Sequence, residues 1–197
     1  MIREKKKYSR KKKRLIFAFP ILSIILIGVI TIFSSMYEKS WVYNWSGIRP
    51  EIKDSIQMAE YGGISSGIVG ISGIKPKQYD RRHWIMENTT TAELLRLTEY
   101  PDGTIKTIAY EGLIRKADYK NKTDLVFKAL QDKEYQIEYY AGCEGMRMNV
   151  GEYLIEFVLY IDSNSPPPID GRNPYKISEK EVDVILTEYR RTASSWK

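Results

Sequence analysis

Cysteine and histidine are almost missing from this chain: its 197 residues hold one of each, Cys143 and His83. A single thiol excludes an intramolecular disulfide, so the fold has to be held by its core whatever the redox state around it. A single imidazole excludes a histidine-based metal cluster and a Ser-His-Asp triad within one chain. Cys143 lies in AGCEGMRM, and Arg147, four residues on, is of the right charge to lower a thiol pKa. Its small neighbours Ala141, Gly142 and Gly145 favour the other reading, a small buried hydrophobe at a tight contact. His83, beside Arg81, Arg82 and Trp84, reads as a partly exposed helix residue. No catalytic residue, no metal ligand set and no cofactor follow from the sequence.

Charge is absent altogether from Leu15 to Phe33, LIFAFPILSIILIGVITIF, where only Ser23 and Thr31 carry polar side chains. At about 1.5 Å of rise per residue, such a run covers the roughly 30 Å hydrocarbon layer of a bilayer. The preceding residues 1–14 hold nine Lys or Arg and one Glu, whereas the rest of the chain has 22 basic against 24 acidic residues. The formal net charge of +6 therefore belongs to the tail, the remainder is close to neutral, and no nucleic-acid partner is expected. Basic residues before a first span are retained on the cytoplasmic side, which places the N-terminus inside and everything from about Ser34 onward outside. A cleaved signal peptide is the rival reading. It is disfavoured by the length of the apolar run and by bulky Ile32 and Phe33 two residues before Ser34 and Ser35.

The expected organisation is a basic cytoplasmic tail over 1–14, a transmembrane signal anchor over 15–35, a juxtamembrane linker over 36–49, and an extracytoplasmic helical domain over 50–197. Tyr37, Trp41, Tyr43 and Trp45 suit either an aromatic belt at the outer membrane interface or the core of that domain.

Glycine is concentrated in one place, the stretch GGISSGIVGISGIKP from Gly62. It lacks the Gly-Lys-Ser/Thr of a phosphate loop and reads as close packing or a chain of turns. Before it, Pro50 opens a short helix with Ile52, Ile56 and Ala59 on one face. Thr90 and Glu93 form a capping box, and the helix they begin stops near Pro101. After Pro-Asp-Gly, Ile105, Ile108, Ala109, Gly112 and Leu113 make one apolar face of a second helix, so the pair is an αα-hairpin. A shift of 32 positions places Leu94 on Val126, Leu97 on Ala129, Ile105 on Ile137 and Ala109 on Ala141, which predicts a second hairpin stacked on the first. The charges between Arg81 and Arg115 alternate in sign and read as solvated helix faces. GEYLIEFVLYI, from Gly151, fits a strand or a helix, and the repeat context selects helix. SNSPPPIDGRNPY reads as an exposed loop, and Ser178 with Glu181 caps a final amphipathic helix.

Leu94-Leu95, Pro101-Asp102, Ile105-Lys106, Ala109 and Gly112-Leu113 resemble the HEAT-repeat pattern, and the passage from Ser66 to Ile155 looks like a group of bacterial HEAT-like envelope proteins. The resemblance implies an all-α fold, one N-terminal transmembrane helix followed by a HEAT-like α/α-repeat domain, and supplies no catalytic residues. The function that follows is a membrane-tethered, non-enzymatic interaction module or scaffold whose partners are the lipid bilayer and an envelope protein or peptide. The alternative is a small-ligand binder or enzyme with an inter-helix pocket near Cys143, using Glu144 or Glu152. Among the 15 tyrosines, Tyr135, Tyr139, Tyr140 and Tyr153 crowd the second repeat and form the candidate interaction surface, core packing being their other reading.

Overall fold

The computed structural model describes residues 9–162, 175 and 177–193, with side chains from residue 18 onward, and divides into two compact units, Met1–Val42 and Tyr43–Lys197. The chain is mostly helical, with one small three-stranded sheet.

The first unit is dominated by helix α1 (Ser9–Met36), which begins inside the basic tail and passes through Pro20. Its stretch Ala18–Met36 is long and apolar enough to cross a membrane. Apolar side chains from Phe19 to Phe33 stand exposed along it. The two hydroxyls in the run are satisfied by the helix itself: Ser23 donates to the Phe19 carbonyl at 2.9 Å and Thr31 to that of Ile27 at 2.8 Å. Both hydroxyls thus have a partner that an apolar solvent does not remove. Tyr37 and Trp41 follow, both exposed.

In the second unit Tyr43 and Trp45 belong to the domain. Their rings pack against Tyr100, with centroids 4.6 and 5.5 Å away, and the Tyr43 hydroxyl donates to the Arg96 carbonyl. Helix α2 (Pro50–Ala59) buries Ile52, Ile56 and Ala59, the face expected from their spacing. Strand β1 (Ile64–Val69) leads to α3 (Lys77–Asn88) and α4 (Thr91–Leu97). Thr90 and Glu93 form their capping box at the start of α4, and Asp102 accepts from the Ile105 amide at 2.9 Å to start α5 (Gly103–Arg115). The α4–α5 pair is the expected αα-hairpin. Helix α6 (Lys122–Gln131), strands β2 (Gln136–Gly142) and β3 (Glu144–Asn149), and α7 (Val150–Tyr153) follow. A π-helical stretch, Leu154–Leu159, continues α7 and ends at Tyr160, whose φ of 53° is left-handed. Gly151–Leu159 is therefore helical, as the repeat context suggested. Helix α8 (Glu179–Ala193) is opened by Ser178 and Glu181, each bonding the other's backbone amide. The proline-rich loop expected after Asp162 lies, apart from Tyr175, outside the described residues.

The sheet corrects the all-α expectation. β1 pairs in parallel with β2, Ile64 opposite Tyr139, and β2 pairs antiparallel with β3, Glu138 opposite Arg147 and Tyr140 opposite Gly145. At the first helix of the 32-residue shift, Val126 and Ala129 are buried on α6 as Leu94 and Leu97 are on α4. The second expected helix is absent there, because Ile137 and Ala141 lie in β2. A spacing of four fits one helical turn and also two strand repeats, and Ile137, Tyr139 and Ala141 follow the strand period. Within the glycine-rich stretch, Ile64–Val69 is a strand, contrary to expectation, while Gly67 lies against the Tyr79 ring of α3 and Gly70–Gly73 forms a turn.

The core centres on α5. Twelve of its residues, Gly103 through Ile114, are buried, so the helix is covered on every side and not on the single expected face. Helix α7 approaches α6 at Gly151, where an added Cβ would stand 2.7 Å from the Leu130 Cα.

Candidate functional site

Because α5 is covered all round, its polar side chains need partners inside the protein. Glu111 is 1% exposed and sits between two guanidinium groups. Arg115, one turn on, donates through Nε to Glu111 Oε1 at 2.8 Å; Arg82, from α3, lies 3.6 Å from Oε2. The Tyr153 hydroxyl joins them, accepting from Arg82 Nη1 at 2.6 Å and donating to Glu111 Oε2 at 3.2 Å. Burial works against the Arg82 charge, but Glu111 and Tyr153 outweigh it and raise its pKa. Burial, then Glu111, pushes the Tyr153 phenol well above its usual range, so it remains a neutral bridge. This network ties α3, α5 and α7 together. On the other side of α5, Lys106 pairs with Asp132, and its ammonium lies 4.4 Å from the centre of the Tyr135 ring.

The solvent-facing chemistry lies on the outer face of the sheet. Strand alternation turns Ile137 and Tyr139 inward and Glu138 and Tyr140 outward. Glu138, Tyr140, Gly145, Met146 and Arg147 line a shallow depression of about 200 Å³. The Tyr140 ring lies over Gly145, and its hydroxyl donates to Glu138, a bond that raises the phenol's pKa. A carboxylate, an aromatic ring and a guanidinium thus stand on neighbouring strands, a set suited to hydrogen bonding and stacking with a polar segment.

The structure divides the four candidate tyrosines. Tyr140 is half-buried on this outer face, and Tyr135 is half-buried over Lys106. Tyr139 and Tyr153 are 7% and 2% exposed, which corrects their assignment to an interaction surface. With Phe157 they form an inner aromatic group, the Tyr139–Phe157 centroids 4.4 Å apart and the Tyr153–Phe157 centroids 5.9 Å apart. Strand alternation sends Tyr139 inward, and Tyr153 is drawn into the charge network. Cys143 is also corrected. It is exposed, at the turn between β2 and β3, so the buried position and the inter-helix pocket expected beside it are not formed there. Glu144 and Glu152 do not converge with it: Glu144 begins β3, and Glu152 accepts from the Asn149 amide as the cap of α7. His83 is a helix residue as expected, its Nδ1 2.9 Å from the Tyr79 carbonyl.

Alternating signs between Arg81 and Arg115 suggest solvent exposure and so conceal the charge network. A signal was nevertheless available: GTIKTIAYEGLIR has three charged residues in a helix otherwise apolar or small on all sides. Among the described residues, no group of three or more His, Cys, Asp or Glu is placed to hold a metal ion. No protein-family model, curated protein or solved structure matches the chain.

Proposed function

We propose that this protein is a membrane-tethered interaction module, with its N-terminus in the cytoplasm and the Tyr43–Lys197 unit on the extracytoplasmic face. The carrying observation is the contrast between the two units: α1 exposes apolar side chains along its length, whereas the second unit buries a complete core of its own. An exposed apolar helix of this length is favoured by an apolar solvent, and the basic residues before Ala18 favour the inward orientation of its start. The α4–α5 hairpin supports the HEAT-like part of the reading. The surface offered to an envelope protein or peptide is the outer face of β2 and β3, with Glu138, Tyr140 and Arg147.

Reporter fusions after Lys197 test the orientation. An enzyme active only outside the cytoplasm is expected to work there, and activity of a cytoplasm-only reporter rejects the topology. A photo-crosslinking residue at Tyr140 tests the surface. It is expected to trap one protein partner in intact membranes, while the same residue at Val184, exposed on α8, does not. Equal trapping at both positions rejects this face.

A further inference from the structure

After β1 the chain makes a turn that is ordered yet apolar. The Val69 amide donates to the Ile74 carbonyl and that of Gly73 to the Gly70 carbonyl, both at 3.1 Å. Gly70 and Gly73 have φ of 75° and 62°, the left-handed region that lets so tight a turn close. The Gly70 amide also donates to the Gly142 carbonyl at 2.6 Å, which ties this turn to the one bearing Cys143. On it Ile68, Ile71 and Ile74 are 62%, 97% and 66% exposed. Single exposed isoleucines are ordinary, but three within seven residues on a hydrogen-bonded turn make a patch that water solvates poorly.

We propose that this turn, Ile68 to Ile74, dips into the headgroup–acyl boundary of the bilayer that holds α1, giving the second unit its own membrane contact. The inference rests on the reading of α1 as an anchor. Tether length argues for lipid over a protein partner. Only residues 37–42 separate the end of α1 from the second unit, at most about 20 Å of extended chain. A unit of this size has a radius of gyration of about 15 Å, comparable with that tether, so it stays beside the membrane at high effective concentration. Charge agrees with this. The turn Ile68–Ile74 contains no charged residue and Lys75 beside it is paired with Asp80, so apolar burial drives the contact.

Cys143, the single cysteine, is a native reporter for the test. The full chain, labelled there with an environment-sensitive fluorophore, is reconstituted in phosphatidylcholine vesicles with and without doxyl groups near the headgroup end of the acyl chains. The expected result is a blue-shifted emission that doxyl lipid quenches, unchanged when anionic lipid is added. Ile71→Ser should weaken both effects, and the variant Ile68→Ser/Ile71→Ser/Ile74→Ser should abolish them without altering the circular dichroism spectrum. Aqueous, unquenched emission from protein that resists carbonate extraction overturns this inference and leaves the anchor standing; extraction by carbonate overturns both. Quenching that survives the triple substitution overturns it as well. A blue shift without quenching that grows with the protein-to-lipid ratio assigns the turn to a second copy instead.

Discussion

Glu93 and Glu111 show what a buried carboxylate needs. Glu93 accepts from the Arg49 amide at 3.1 Å, from Arg49 Nε at 2.9 Å and Nη2 at 3.0 Å, and from Thr90 N and Oγ1. The Arg49 guanidinium, then the Thr90 and Arg49 amides, hold its pKa down at about 2, against a usual 4.5. A folded-state pKa below the unfolded one means the stabilisation is complete above about 4.5 and is lost as the pH falls toward 2. Glu93→Gln is therefore expected to cost on the order of 2 kcal/mol at neutral pH, allowing for the half-exposed Arg49. Urea unfolding of the two proteins should show that difference shrinking below pH 4.5. Glu111→Gln has a larger expected effect, about 3–5 kcal/mol, because it strands Arg82 in the interior and strips Arg115 of its partner. A loss below about 1 kcal/mol in the same unfolding measurement would show that the network is slack. At Cys143 the exposed turn predicts thiol labelling in the native fold as fast as in denaturant; slow native labelling would contradict the exposure described above.

Helices and strands differ in how far local sequence determines them. Where an element is fixed by a cap and a face, the pattern was readable: Pro50 opens α2, Thr90 and Glu93 open α4, Ser178 and Glu181 open α8. Where it depends on neighbours far along the chain, the pattern was ambiguous. Ile137 and Ala141 satisfy both periods, and β2 becomes a strand because β1 and β3 flank it, one partner far earlier in the chain, as Ile64 is to Tyr139, and the other a few residues after. The exposure of Cys143 follows from β2 being a strand, since a residue expected inside a helix stands instead at a hairpin tip. The charged residues of α5 were misread for a related reason: which faces of a helix are covered is decided by how many elements surround it. The α6–α7 crossing gives an element-scale prediction. Gly151→Ala places a methyl group against the Leu130 backbone, which has nowhere to retreat, and should cost about 1–3 kcal/mol, read as a lowered melting temperature. A variant as stable as the wild type would show that the two helices separate readily.

At the scale of the whole molecule, the second unit contains the hydrophobic core and both ion-pair systems of α5. Residues 43–197 expressed without α1 are expected to fold in water to one cooperative, mostly helical state, seen as a single thermal transition by circular dichroism. A broad transition, or a spectrum dominated by strand, would count against an autonomous unit. The covered position of α5 also has a consequence for how the chain comes to be folded. Its buried charges have partners scattered in time as well as space, for Arg82 leaves the ribosome before the helix, Asp132 after it and Tyr153 later still. A chain that emerges N-terminus first carries Lys106 and Glu111 without their full set of partners until those later segments arrive. Burial of α5 therefore cannot be complete before Tyr153 has emerged, and a nascent chain halted short of it is expected to retain an open centre where the finished protein is most tightly closed.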